Sequence, residues 1–128
     1  MIRVLVVEPG KAPYKKKISG ELKSMQDLVG GPIQVVYPFE QPIALICNDE
    51  GKLQGLPYNR ALRDADSWEI YDAVAGTFFL CGAPGGSEEF TSLSDEQVEM
   101  CRKQFAVPEL FIDLGDSLLV LPMLDVCQ

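Results

Sequence analysis

An almost unbroken β-branched run, Ile2-Arg3-Val4-Leu5-Val6-Val7, opens the chain and predicts a strand buried on both faces. Turn formers follow at Glu8-Pro9-Gly10-Lys11-Ala12-Pro13. Tyr14-Lys15-Lys16-Lys17-Ile18 then predicts a returning edge strand whose lysines oppose edge-to-edge pairing. Leu22, Met25, Leu28 and Val29 recur at helical spacing. They predict a helix capped by Ser19, with Glu21 in its first turn and a stop at Gly30-Gly31-Pro32, where glycine supplies the left-handed cap and proline bars continuation. Two short strands are expected over residues 33–37 and 43–47, then a turn at Asn48-Asp49-Glu50-Gly51 and a short partner strand at Lys52-Leu53-Gln54. This order predicts an α+β domain with a mixed, mostly antiparallel sheet, an opening hairpin and a β-grasp-like arrangement.

Residues 55–69 carry no clear alternation and read as a long excursion between strands, a feature that is uncommon in compact domains and often functional. The apolar stretch over residues 70–82 predicts one long central strand, with Gly76 marking a bulge or a close backbone approach. A Pro/Gly/Ser-rich loop is expected over 83–89. Ser94 and Gln97 have the spacing of a capping box, with Leu93 and Val98 as the hydrophobic staple across it. Val98, Cys101 and Phe105 mark the buried face of this second helix, which should end near Ala106. Apolar runs at 110–113 and 118–121 flank Leu114-Gly115-Asp116-Ser117 and predict a closing hairpin.

A length of 128 residues with 47% hydrophobic and 23% charged side chains fits a single domain able to form its own core without a staple. No run approaches the ~20 apolar residues of a membrane-spanning helix, and the apolar start is too short for an export signal, so a cytoplasmic protein is expected. The four cysteines are widely spaced and histidine is absent. Cys47, Cys81 and Cys101 lie in apolar segments and are expected to be buried free thiols; no metal or cofactor is implied by them or by Cys127. The net charge of −8 divides into +2 over residues 1–40 and −10 over the remainder. That balance disfavours direct nucleic-acid binding, because an acidic surface repels phosphates.

Several motifs in fixed order resemble the DUF3846 family. They are Val6-Val7-Glu8-Pro9-Gly10-Lys11, Asp27-Leu28-Val29-Gly30-Gly31, Val36-Tyr37-Pro38-Phe39, Leu56-Pro57 with Asn59-Arg60-Ala61-Leu62-Arg63-Asp64, and Ile70-Tyr71-Asp72 with Ala75-Gly76-Thr77-Phe78-Phe79. The resemblance covers roughly residues 1–95, and a C-terminal extension from about 108 lies outside it. It implies a bacterial, phage or mobile-element domain of unknown function and carries over no activity and no catalytic residue.

The absence of histidine removes Ser-His-Asp triads, Cys-His dyads and histidine metal sites. Neither Gly85-Gly86 nor Val6-Val7-Glu8-Pro9-Gly10 completes a phosphate-binding glycine motif. Cys81 as a nucleophile would lie in a strand with no base nearby in sequence. The candidate site is therefore the 55–69 segment, with Tyr58, Asn59, Arg60, Arg63, Asp64, Asp66 and Trp68. Two arginines three apart can grip a carboxylate or phosphate, and aromatic residues beside arginine suit a protein interface. The plainer alternative is that both arginines pair with local acids. Asp72, inside an apolar run, is expected to be buried and paired with Arg60 or Arg63; one arginine should point inward and pair with a carboxylate such as Asp72, Asp64 or Asp66, and the other should be exposed and available to a partner. Three functions remain open: a small non-enzymatic interaction or accessory protein, a binder or minimal enzyme for a small anion, and an acidic DNA mimic begun by Asp95, Glu96 and Glu99.

Overall fold

A computed structural model describes residues 1–85 and 89–123. Part of the 83–89 loop and Cys127 therefore lie outside the described residues. The fold is α+β, with β1 (Ile2–Val7), β2 (Tyr14–Ile18), α1 (Leu22–Val29), β3 (Ile33–Val36), β4 (Ile43–Asn48), β5 (Tyr58–Arg63), β6 (Ile70–Ala75), β7 (Phe78–Gly82), α2 (Asp95–Gln104), β8 (Glu109–Asp113) and β9 (Leu118–Pro122).

The main sheet has five strands in the order β2-β1-β7-β4-β3. It is open, and every pairing in it is antiparallel. With no parallel pair among the described strands, the β-grasp-like arrangement finds no support. The opening hairpin forms as expected, and its lysines sit on the edge strand β2.

The central strands are buried on both faces, because successive side chains point to opposite sides. Val4, Val6, Ala44, Ile46 and Phe79 face α1, which contributes Met25 and Val29. Leu5, Val7, Ile43, Leu45, Phe78 and Leu80 face α2, which contributes Val98, Cys101 and Phe105. Helix α1 ends at Gly30 in the left-handed conformation, as predicted. Its N-cap is Glu21 rather than Ser19. Ser19 Oγ instead accepts from the Glu21 backbone N–H at 3.2 Å, which turns the chain just ahead of the helix.

The capping box of α2 is complete. Ser94 Oγ accepts from the Gln97 backbone N–H at 3.1 Å, and Gln97 Oε1 accepts from the Ser94 backbone N–H at 2.9 Å. Leu93 and Val98 are both buried beside it.

Three departures from the sequence-based expectation reshape the middle of the chain. Residues 58–63 are strand β5 rather than an excursion, and β5 pairs antiparallel with β6 in a second, two-stranded sheet. The stretch over 70–82 is two strands, not one, because Gly76 adopts φ 84° and breaks the extended backbone. A Cβ at Gly76 would also stand 2.7 Å from Leu56 Cδ1, so no other residue fits there without displacement. Strand β7 becomes the centre of the main sheet, while β6 lies over its α2 face through Val74. The expected strand at Lys52-Leu53-Gln54 is a set of turns, closed by Gln54 N–H donating to Glu50 C=O at 2.9 Å. The closing hairpin β8–β9 forms a third small sheet.

Candidate functional site

The β5–β6 hairpin must be fastened to the main sheet, because two strands alone bury too little to be stable. Asn59 and Arg60, which interrupt the apolar pattern of β5, supply the fastening. Asn59 is fully buried; its Nδ2 donates to Val7 C=O at 2.8 Å and to Gly76 C=O at 2.9 Å. One side chain thus joins β1, β5 and the β6–β7 break. Asn59 Oδ1 accepts from Arg60 Nη1 at 2.9 Å.

Arg60 is 1% exposed. Its remaining donors reach Phe105 C=O from Nε at 3.1 Å, Asn59 C=O from Nη1 at 3.2 Å and Lys11 C=O from Nη2 at 2.6 Å. Phe105 is the C-cap of α2, so the cation also meets the negative end of that helix. Burial disfavours the charged form and lowers the Arg60 pKa, an effect that the nearby Glu109 charge partly opposes. No ion pair involves Arg60 among the described residues. The expected carboxylate partner, Asp72, Asp64 or Asp66, is replaced by backbone carbonyls from three parts of the chain.

Arg63 behaves differently. Its side chain is 19% exposed, and Nη2 bonds Glu109 Oε2 at 2.7 Å. Glu109 Oε1 accepts from the Ala61 backbone N–H at 2.8 Å. One carboxylate at the start of β8 therefore grips β5 twice and docks the closing hairpin, with Phe111 stacked on Tyr58 at 5.2 Å between centroids.

Asp72 is not buried. Its side chain is 52% exposed and pairs with Lys52 at 2.6 Å. It pairs with neither arginine, because it falls in the exposed first half of β6, where the Lys52 ammonium reaches it. Partial burial works against its ionisation, but the Lys52 ammonium and the Ala73 backbone N–H outweigh that and lower its pKa.

The turn between β5 and β6 is organised by Asp64. Its Oδ1 accepts from the backbone N–H groups of Asp66 at 2.9 Å and Ser67 at 3.0 Å. These bonds favour the carboxylate and lower the Asp64 pKa. The turn closes with Trp68 at φ 61°, the one non-glycine residue with positive φ among those described. That conformation is unusual for a bulky side chain. Trp68 is nonetheless 57% exposed, with the Arg63 guanidinium 5.5 Å from its ring centroid.

Beyond Trp68, Ile70 and Tyr71 project into solvent. With Tyr58, Leu118 and Val120 they line a groove of about 370 Å3 between β6 and β9. A second concavity of about 390 Å3 opens toward β3 and β4, lined by Gln34, Cys47 and Leu62 among others. Lys52, Asp72 and Ala73 line both.

Of the residues singled out in the sequence, Trp68 lies on this exposed edge, Asp66 is exposed in the turn ahead of it and Asp72 lines the groove. Tyr58 forms one wall of the groove, Arg63 and Asp64 support it, and Asn59 and Arg60 are internal. Ile70 and Tyr71 escaped notice because they head an apolar run. The signal lay in Gly76, which makes that run two strands of different environment.

The three described cysteines are free and buried. Burial raises Cys81 and Cys101 to about 12. Cys47 rises to about 11, chiefly by burial and then by the charges of Asp49 and Asp72. None is poised as a nucleophile near neutral pH. On α2, Asp95 pairs with Arg3 at 2.9 Å and Glu99 with Arg102 at 4.0 Å. No helix among the described residues is long and apolar enough to cross a membrane.

The architecture defines an antiparallel α+β domain whose second sheet is fastened to the first by a buried Asn–Arg pair. The chain belongs to DUF3846, a domain of unknown function, whose family model matches residues 2–106. The match ends just past α2, and the β8–β9 hairpin lies beyond it. No curated protein and no solved structure matches the chain.

Proposed function

We propose that the protein is a small non-enzymatic interaction module, a cytoplasmic accessory factor of bacteria or of their mobile elements. It binds a protein partner through the edge formed by Trp68, Ile70 and Tyr71 and the groove beside them. The observation that carries this reading is Trp68. A large aromatic side chain is held outward in a left-handed conformation by the Asp64 turn and braced by Arg63, itself clamped by Glu109. Strained backbone that the surroundings hold in place tends to mark functional positions. Rigid Trp and Tyr beside Arg are the side chains that supply most binding energy at protein interfaces. A small anion gripped by Arg60 and Arg63 has less support, because four of the Arg60 hydrogen bonds are internal and Arg63 already holds Glu109. An acidic DNA mimic has less support as well, since Asp95 and Glu99 on α2 each pair with an arginine.

The test is comparative capture from a lysate of the source cells, with wild type and with Trp68→Ala/Tyr71→Ala, read by quantitative mass spectrometry. Partners retained by the wild type should fall at least tenfold with the double variant. Equal recovery by both would refute the reading.

A further inference from the structure

We propose that the outer face of the β8–β9 hairpin is the seam of a two-fold homodimer. The inner face of this hairpin carries Glu109, Phe111 and Val120 and packs against the β5–β6 sheet. The outer face is another matter. Strand register sets Leu110 opposite Leu121 and Ile112 opposite Leu119. All four are exposed, at 46%, 41%, 37% and 40% respectively. Leu114 and Met123 extend the same surface at its two ends and are exposed too. Alternation places the carboxylates of Glu109 and Asp113 on the opposite side, so no charged residue of either strand interrupts this face.

An uncharged aliphatic face on a chain of net charge −8 calls for a cover of matching character. A second copy supplies one. The surface is chemically self-complementary, as a two-fold interface requires, and it presents no polar group that would select a different partner. Its six side chains expose together about 500 Å2, at the upper end of the apolar patches found on monomers. A standard stable interface covers ~800 Å2 per partner, so these six side chains form its apolar centre and the polar residues around them its rim. Two hairpins stacked face to face become a small sandwich with both faces covered on each chain, which remedies the thinness of a two-stranded sheet. The repulsion between two acidic chains is the opposing effect. It is weakened here because the strand carboxylates Glu109 and Asp113 lie behind the sheet, and screening at physiological salt acts over ~8 Å. The hairpin lies wholly beyond the family match, so the seam is formed outside the matched residues. The Trp68 edge lies beside the inner face and stays open, and each dimer presents it twice.

Sedimentation equilibrium of the full chain from about 1 to 200 μM tests the proposal. The expected species is a closed dimer of about 28 kDa, twice the 14.1 kDa chain. Raising NaCl from about 50 to 500 mM should tighten it, because salt screens the like charges and leaves an apolar seam intact. Leu119→Glu should shift the dissociation constant upward at least a hundredfold and give a monomer that still melts cooperatively. Leu119→Thr, gentler on the strand, should weaken it about tenfold. Trp68→Ala should leave it unchanged. A 14.1 kDa species at every concentration, a dimer loosened by salt, an open series of larger assemblies, or a dimer indifferent to both Leu119 variants would each overturn the proposal.

Discussion

Replacing Arg60 by alanine removes four hydrogen bonds from a side chain that is 1% exposed. The carbonyls of Phe105, Asn59 and Lys11 and the Asn59 amide oxygen lose their donor together. A buried acceptor left without a partner costs about 1–3 kcal/mol. Two effects oppose that sum. Water enters the vacated space on the Lys11 side, where the bond is only partly buried, and the desolvation that lowers the Arg60 pKa disappears with the charge. A net loss of about 3–5 kcal/mol follows, the range for breaking a buried charged network. In a domain of this size that lowers Tm by roughly 10–20 °C. Arg60→Lys should recover only part of it, since one ammonium cannot reach carbonyls on α2, on β5 and in the β1–β2 turn at once. Arg63→Ala, which breaks one partly exposed ion pair, should cost about 1–2 kcal/mol. Guanidinium chloride unfolding followed by circular dichroism separates the three. If Arg60→Ala unfolds within about 1 kcal/mol of wild type, or later than Arg63→Ala, Arg60 does not hold the two sheets together.

Three further outcomes are expected. Ser94→Ala should lower stability by about 1 kcal/mol, because it opens the complete capping box of α2; an unchanged denaturation midpoint would count against that box. The folded-state thiol pKa values of about 11 for Cys47 and about 12 for Cys81 and Cys101 lie above the ordinary value of 9.0, so the unfolded chain loses these protons first. Stability is therefore fully present below pH ~9 and falls as pH rises from there toward ~12; flat stability over that window, with thiols that react with iodoacetamide in the folded state at pH 8, would show that they are not buried. Trp68→Gly should change stability by less than about 1 kcal/mol, since relief of a positive φ at a bulky residue offsets the lost ring contacts, and a larger loss in thermal melts would mean that the tryptophan is a core residue.

Wherever local pattern and final environment agree, the sequence was readable. The opening hairpin, the glycine stop of α1, the Ser94–Gln97 cap and the closing hairpin all carry their signals within a few residues. The family was legible as well, from motifs scattered over most of the matched region. The centre of the chain was not, for a physical reason. Strand β5 buries Asn59 and Arg60, polar side chains satisfied by groups 45 to 52 residues away, and no local pattern reveals such distant partners. For the same reason the apolar run around Asp72 points to a buried partner of the arginines that the structure does not contain. The true partner of Asp72, Lys52, lies 20 residues upstream in a turn, and the acid that Arg63 holds lies 46 residues downstream in the closing hairpin. Of the candidate site, an inward arginine was legible from energetics, but its partners were not, and Arg63, expected to be exposed and available, is instead largely buried and held by Glu109.

The partner edge is tested most directly by a photo-crosslinking amino acid placed at Tyr71, exposed beside the groove, with the same probe at Leu22, exposed on α1, as the control. After irradiation in a lysate of the source cells, position 71 should give a discrete adduct of one partner protein that the control position does not give. That adduct should disappear when Trp68→Ala is added. An adduct pattern shared by both positions, or an adduct at 71 that survives Trp68→Ala, would contradict the assignment of this edge as the binding surface.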